Sequence, residues 1–92
     1  MILHELEVVL RKRKSELPFD SYSALLFRDP ERIGRKLSEE TFELCVELGR
    51  AQRAPRRIAE EAADLTYHLL VALVEADVAL AEVLGILEER RR

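Results

Sequence analysis

Residues 30–75 read PERIGRKLSEETFELCVELGRAQRAPRRIAEEAADLTYHLLVALVE and contain two long helix-forming segments. Proline stands at the start of each, at Pro30 and Pro55, and the first helical position accepts proline because its N–H has no intrahelical partner. Apolar residues recur at helical spacing on both sides of the short joint. The sequence therefore predicts one helix from Pro30 to about Ala51 and another from Pro55 to about Glu75. So short a joint predicts antiparallel neighbours.

The amino-terminal segment predicts two further helices. Apolar spacing over residues 2–16 is helical, and Leu17 ends this helix because a residue that precedes proline is disfavoured in helical geometry. The stretch SYSALLF, residues 21–27, predicts a short helix that Asp20 or Ser21 caps.

A last helix is expected over about residues 79–89, after a break at residues 76–77. No segment alternates with period two over a length that would suggest a strand. Residues 1–92 are therefore predicted to form a single all-α domain, a helical bundle built on the antiparallel hairpin.

The composition predicts a small helical core that a second copy completes. The chain has 92 residues, 48% hydrophobic and 36% charged, with three glycines and three prolines. A chain this short has a thin core, and long helices leave much of its apolar surface uncovered. We expect a homodimer.

The net charge and the cysteine content limit the binding partners and the covalent cross-links that we expect. The net charge of −3 gives no general case for nucleic acid, and the arginine-rich residues 11–14 and 90–92 suit the carboxyl ends of helices. Cys45 is the only cysteine, so no internal disulfide forms, and its apolar neighbours predict a buried position.

The amino terminus does not resemble a signal peptide, because acidic residues interrupt its apolar part. No apolar run reaches the roughly 20 residues that span a membrane. We expect a cytoplasmic protein with no membrane contact.

Acidic side chains recur at helical spacing on both central helices. Residues three apart on a helix are neighbours, so Glu40 with Glu43, and Glu61 with Asp64, each form a carboxylate pair on one face. Glu39 points away from the face that carries Glu40 and Glu43. If the two helices turn these faces toward each other, four carboxylates converge.

Like charges at this spacing repel, so either a cation lies between them or all of them face water. A hard divalent cation such as Mg²⁺ prefers oxygen ligands and also binds substrate phosphates. The spacing alone leaves the metal site and the solvated face as open alternatives.

The surrounding residues carry a resemblance that goes beyond spacing. The stretches EETFE (39–43) and EAAD (61–64) are similar to the EExxE…ExxD signature of the MazG-like all-α nucleotide pyrophosphohydrolases. SYSALLF (21–27), ERIGRKLSEETFE (31–43) and EEAADLTYHLLVAL (60–73) narrow the resemblance to the phosphoribosyl-ATP pyrophosphohydrolase family. The last block is the most specific of these.

This resemblance implies a dimeric, Mg²⁺-dependent enzyme of the second step of histidine biosynthesis. Such an enzyme hydrolyses phosphoribosyl-ATP to phosphoribosyl-AMP and pyrophosphate. The implied metal ligands are Glu40, Glu43, Glu61 and Asp64. The implied catalytic residues are Glu39, Glu40 and Glu43, and the expected substrate contacts are Lys36, Arg32 and Tyr22.

Three features leave room for other interpretations. Ser38 and Thr41 stand where the family usually has glycine and alanine, which affects how closely a substrate approaches the backbone. His68 lies one turn beyond Asp64 and is open to three roles: metal ligand, proton shuttle or hydrogen-bonded core residue.

Alternative functions are a house-cleaning pyrophosphohydrolase that acts on dCTP, dUTP or a damaged nucleotide, and a non-catalytic helical dimer. A third is one domain of a larger bifunctional enzyme, although the initial methionine and charged tail favour a free-standing subunit.

Overall fold

The computed structural model describes residues 1–91 and confirms the all-α prediction. Five α-helices make up the described chain: α1 (Ile2–Glu16), α2 (Tyr22–Phe27), α3 (Pro30–Leu48), α4 (Pro55–Glu75) and α5 (Leu80–Arg90). No β-strand occurs among these residues. Of the arginine-rich tail singled out in the sequence, Arg92 lies outside the described residues.

Most helix boundaries lie where the sequence signals place them. Leu17, which precedes Pro18, adopts a left-handed conformation with φ 49° and ends α1. Ser21, rather than Asp20, caps α2, and its hydroxyl accepts a hydrogen bond from the Ala24 N–H at 3.3 Å. The helix α3 ends at Leu48, before the predicted end at about Ala51.

The core lies where α1, α2 and α3 pack on α4. The helices α3 and α4 form the most extensive pairing, as the short joint predicts. The helix α1 packs on α4 and α2, and α2 contacts both helices of the hairpin. The buried apolar side chains of this core are Leu10, Leu26, Phe27, Ile33, Leu70, Val71, Val74 and Leu80.

Two polar side chains of α1 hold the joint between α4 and α5. The Lys14 ammonium donates to the carbonyl oxygens of Val74 and Glu75, at 3.1 and 2.9 Å, and so binds the carboxyl end of α4. The Glu7 carboxylate accepts a hydrogen bond from the Leu80 N–H at 2.8 Å. Both contacts pair charges with helix termini of the opposite partial charge, which fixes the direction of α5.

The prediction that Cys45 is buried is wrong. Cys45 is exposed, and Phe42, Val46 and Leu48 on the same helix are exposed as well. The reason is that α4 and α2 cover only one side of α3, so that, within residues 1–91, its other apolar residues stay exposed. Within residues 1–91, no helix combines the length and the apolar character that a membrane crossing needs.

Candidate metal and nucleotide site

The facing sides of α3 and α4 bring acidic residues together. Because the two helices are antiparallel, residues one turn later on α3 lie beside residues one turn earlier on α4. Glu40 thus lies beside His68, with 3.9 Å between Oε1 and Nδ1, and Glu43 lies beside Glu61. The sequence pattern placed the carboxylates on one face of each helix and left open whether the two faces meet.

Three carboxylates converge closely enough to share one cation. Each of Glu40, Glu43 and Glu61 offers one oxygen, and these oxygens all lie within 4.8 Å of one another. The Oε2 atoms of Glu40 and Glu61 are buried and have no hydrogen-bond partner among residues 1–91. Unpaired buried oxygens are costly, so these residues fit a divalent cation that takes oxygen ligands.

The surroundings of Glu40 and Glu61 disfavour the charged form of each of these two carboxylates. Burial, followed by the charge of Glu43, raises the pKa of Glu40, although His68 and Lys36 act in the opposite direction. Burial, followed by the charge and a hydrogen bond of Glu43, raises the pKa of Glu61. A cation bound among these carboxylates would therefore favour their charged forms.

The predicted fourth ligand, Asp64, lies at the edge of this cluster. Its side chain is exposed and is not among the three that converge. Its charge nevertheless contributes to the raised pKa of both Glu40 and Glu61, so it lies within electrostatic range. A ligand role for Asp64 stays a prediction.

Lys36 lies beside the cluster, one turn before Glu40. Its Nζ is 3.6 Å from Glu40 Oε1 and 3.5 Å from Glu39 Oε1. Burial lowers the pKa of Lys36, but Tyr22, Glu39 and Glu40 together outweigh burial and raise it. Lys36 thus carries a firmly held positive charge, while Glu39 faces solvent, as its helical direction predicted.

A basic cleft of about 380 Å³ opens next to Lys36. Its lining consists of Tyr22, Arg32, Arg35, Lys36 and Glu39. The three predicted substrate contacts, Tyr22, Arg32 and Lys36, therefore share one cavity. Arg35, which was not among the predicted contacts, lines it as well, and three cations in one cleft suit a phosphate-bearing ligand.

His68 is a buried, hydrogen-bonded residue, which is one of the three roles that the sequence left open. Its Nδ1 lies 2.9 Å from the Asp64 backbone oxygen, and its Nε2 lies 2.9 Å from the Tyr22 hydroxyl. Both ring nitrogens are thus engaged in this arrangement.

Glu47, which follows Glu43 on the same stripe of α3, is buried beside the hairpin joint, and its burial and ion pairs were not predicted from the sequence. Its carboxylate pairs with Arg50 at 3.1 Å and with Arg57 at 3.6 Å, and the hydrogen bond from Arg50 lowers its pKa. Glu47 lies one turn after Glu43, and Arg57 lies one turn before Glu61. Extending the antiparallel pairing by one turn would have found this pair, which fixes the register of the carboxylates.

The fold and the site together define an all-α protein whose helical hairpin gathers carboxylates beside a basic, nucleotide-sized cleft. Comparison with known proteins agrees with this class. Residues 3–91 match the family model described as phosphoribosyl-ATP pyrophosphohydrolase. The chain belongs to the phosphoribosyl-ATP pyrophosphohydrolase family.

Individual relatives are similar over nearly the whole chain. A phosphoribosyl-ATP pyrophosphatase of Cereibacter sphaeroides is 44% identical over 90 residues, which cover 97% of this chain and 85% of the relative. A protein of the same name from Pyrobaculum arsenaticum is 44% identical over 92 residues, covering 99% of this chain and 96% of the relative. The match therefore includes all five helices.

Proposed function

We propose that this protein hydrolyses phosphoribosyl-ATP to phosphoribosyl-AMP and pyrophosphate, a step of histidine biosynthesis. The observation that carries the proposal is the convergence of Glu40, Glu43 and Glu61 directly beside a cleft lined by three cations. Relatives that are 40–46% identical carry the name of this activity, and they extend little beyond the length of this chain.

The proposed cofactor is Mg²⁺, which Glu40, Glu43 and Glu61 would hold, with Asp64 as a further ligand. When bound, the ion neutralises phosphate charge and stabilises the charge that develops as the anhydride bond breaks. The two buried, unpartnered oxygens and the mutual repulsion of the carboxylates support this assignment.

The chain's own residues bind the substrate and move one proton. Lys36 and Arg32 contact the phosphates, because both are cations that line the cleft. Lys36 also lies 3.6 Å from Oε1 of Glu40 in the acidic cluster. A water molecule attacks the α-phosphorus, and one glutamate of α3 accepts its proton. Glu39, Glu40 and Glu43 are the candidates for this role.

The test is pyrophosphate release from phosphoribosyl-ATP with and without Mg²⁺, beside a panel that contains ATP, dCTP and dUTP. We expect phosphoribosyl-ATP to be preferred and EDTA to abolish turnover. The Glu40→Gln variant should be inactive, whereas Glu60→Gln, which changes an exposed glutamate of α4, should be fully active. Preference for dCTP or dUTP would instead identify a house-cleaning pyrophosphohydrolase.

We further propose that the protein is a homodimer that packs through the uncovered face of its hairpin. Leu48 and Leu69 remain 39% and 47% exposed on α3 and α4. On the same faces, Thr41 and Thr66 donate their hydroxyls to carbonyl oxygens of their own helices, each at 2.7 Å. These hydrogen bonds satisfy the hydroxyl donors within each helix, so the face is suited to an apolar partner.

The partner that fits this face is a second copy, because two identical hairpins offer matching apolar stripes around a two-fold axis. Sedimentation at micromolar concentration tests this, and a monodisperse monomer would contradict it. Cytoplasmic location stays a prediction of the sequence alone.

A further inference from the structure

A second group of cations lies at the hairpin joint, on the other side of the carboxylate cluster from the basic cleft. Four arginines fall between the end of α3 and the first turn of α4, namely Arg50, Arg53, Arg56 and Arg57. Two of them, Arg50 and Arg57, converge on Glu47, which is only 3% exposed. One carboxylate between two guanidinium groups leaves an excess of positive charge at this end of the hairpin.

Helical geometry places this arginine pair close to the carboxylates. Glu47 follows Glu43 by four residues on α3, and Arg57 precedes Glu61 by four residues on α4. Each is therefore about 6 Å from the cluster along its helix axis. The cleft that contains Lys36 opens at the opposite end of the cluster. The carboxylates thus lie between two cationic sites, one toward the start of α3 and one toward its end.

Arg50 and Arg57 retain donors for a ligand. At closest approach each meets Oε1 of Glu47 through Nε, at 3.1 and 3.6 Å, and a guanidinium group carries further N–H donors on its terminal nitrogens. Their side chains are 54% and 61% exposed, so an anion from solvent can reach them. Because the buried carboxylate already holds both groups, they lose less freedom on binding than unpaired arginines would.

The two cationic sites differ in the part of a nucleotide that they suit. The cleft has a volume of about 380 Å³ and an aromatic wall at Tyr22, whereas residues 43–64 contain no Phe, Tyr or Trp. Proteins commonly bind bases by stacking them on aromatic side chains, while phosphates need N–H donors and positive charge. The arginine pair therefore fits a ligand part that consists of phosphate alone.

We propose that Arg50 and Arg57 bind the β- and γ-phosphates of the substrate, which leave together as pyrophosphate, and that Glu47 is a positioning residue for both arginines. This inference rests on the proposed function. Hydrolysis of the α–β anhydride divides phosphoribosyl-ATP into pyrophosphate and a part that carries the base and both riboses. Because the carboxylate cluster lies at the bond that breaks, the part with the base occupies the cleft and the pyrophosphate lies over the joint.

The arginine pair also acts on the leaving group. The oxygen of the attacking water bonds to the α-phosphorus, and the bond from that phosphorus to the bridging oxygen breaks. The electron pair of the broken bond stays on the bridging oxygen, which becomes part of pyrophosphate. Two guanidinium groups at the joint stabilise the negative charge that accumulates there.

The first test measures binding of inorganic pyrophosphate by calorimetry, in a large excess of Mg²⁺. Arg57→Gln should raise the Kd for pyrophosphate by roughly ten- to a hundredfold, because charge-assisted hydrogen bonds are lost. Arg56→Gln is the matched control, since it makes the same change in charge at an exposed neighbour that pairs with Glu60. Its Kd should stay within about twofold of the wild type, because exposed charges are screened by salt. Equal losses in the two variants would overturn the proposal.

A second variant separates ligand binding from support of the hairpin. Arg57→Gln leaves the buried Glu47 with one partner and should lower Tm. The double variant Glu47→Gln/Arg57→Gln removes the buried charge together with the arginine, so it serves if the single variant fails to fold. It should lose pyrophosphate affinity by a similar factor. A lower Tm with an unchanged Kd for pyrophosphate would show that the arginines only support the hairpin, and would overturn the proposal.

Product inhibition identifies which part of the substrate the arginines bind. In initial-rate assays with phosphoribosyl-ATP, Arg57→Gln should weaken inhibition by pyrophosphate by the factor seen in calorimetry and change inhibition by AMP by less than about twofold. Equal weakening of both inhibitors would place the arginines at the nucleotide part and overturn the proposal. A wild-type chain that is inactive on phosphoribosyl-ATP would overturn the proposed function, while calorimetry with inorganic pyrophosphate still decides the role of the arginine pair.

Discussion

Replacing Glu40 by glutamine should separate metal binding from folding. Glu40 is the most buried carboxylate of the cluster, and its Oε2 atom has no hydrogen-bond partner. The amide keeps the shape of the side chain and removes its charge. The variant should therefore fold without a cation at least as well as the wild type, yet gain little from Mg²⁺.

The magnitude follows from the distances in the cluster. Two charges 4.8 Å apart repel by about 1–3 kcal/mol for an effective dielectric constant between those of water and a protein surface. The substitution also loses the attraction of Lys36, a partly exposed partner that contributes about 0–1 kcal/mol. The metal-free variant should thus be about 0–3 kcal/mol more stable than the wild type.

Mg²⁺ should act in the opposite direction, because it stabilises the wild type and not the variant. At a concentration of 100 times its Kd, a ligand that binds only the folded state stabilises it by about 2.7 kcal/mol. For a chain of this size, that corresponds to a rise in Tm of roughly 10–20 °C. The wild type should show this rise and Glu40→Gln should not.

The assay is thermal unfolding in EDTA and across a Mg²⁺ titration. Glu39→Gln is the matched control, because Glu39 is the neighbouring residue, is exposed and lies outside the cluster. It should keep the full response to Mg²⁺. The reasoning is refuted if Glu40→Gln gains as much stability from Mg²⁺ as the wild type, or if it unfolds without metal.

Three other substitutions test the substrate site, the proposed dimer interface and the ionisation of Glu7. Lys36→Met should raise KM for phosphoribosyl-ATP by at least roughly tenfold, because a charged hydrogen bond to the substrate is lost. Initial-rate kinetics measure this change. An unchanged KM would show that Lys36 does not contact the substrate. Leu69→Lys should convert the proposed dimer into monomers in sedimentation experiments, since it buries a charge in the apolar face; an intact dimer would place the interface elsewhere. Glu7→Gln tests how the free energy of unfolding depends on the protonation of Glu7. The hydrogen bond from Leu80, aided by Arg11, lowers the pKa of Glu7 in the folded chain, so its contribution to stability is present above the ordinary glutamate pKa. That contribution disappears as the pH falls through the lowered value. Urea unfolding between pH 6 and 3, an interval that spans roughly the ordinary glutamate pKa, should therefore show a shallower loss of stability for Glu7→Gln, and parallel curves would contradict it.

Local signals in the sequence account for the helices. Pro30 and Pro55 begin α3 and α4, and Leu17 before Pro18 ends α1, because these signals act through the backbone alone. The position of Cys45 was not predictable in this way. Helical periodicity shows which residues share a face, but not which faces another helix covers.

In the candidate site, too, local spacing predicts some features and tertiary packing decides the others. Periodicity placed Glu40 and Glu43 on one face and Glu61 on the facing one, and the antiparallel hairpin brought them together. The bond between Tyr22 and His68 joins residues 46 positions apart on different helices, so no spacing rule predicts it. Such tertiary contacts depend on how α2 packs against α4.

The most direct test of the metal site is anomalous diffraction from a crystal of the protein grown with Mn²⁺ in place of Mg²⁺. The account predicts an anomalous peak between α3 and α4, within about 2.0–2.6 Å of oxygens of Glu40, Glu43 and Glu61. A well-ordered crystal whose only bound Mn²⁺ lies elsewhere, with these carboxylates unchanged, would contradict it.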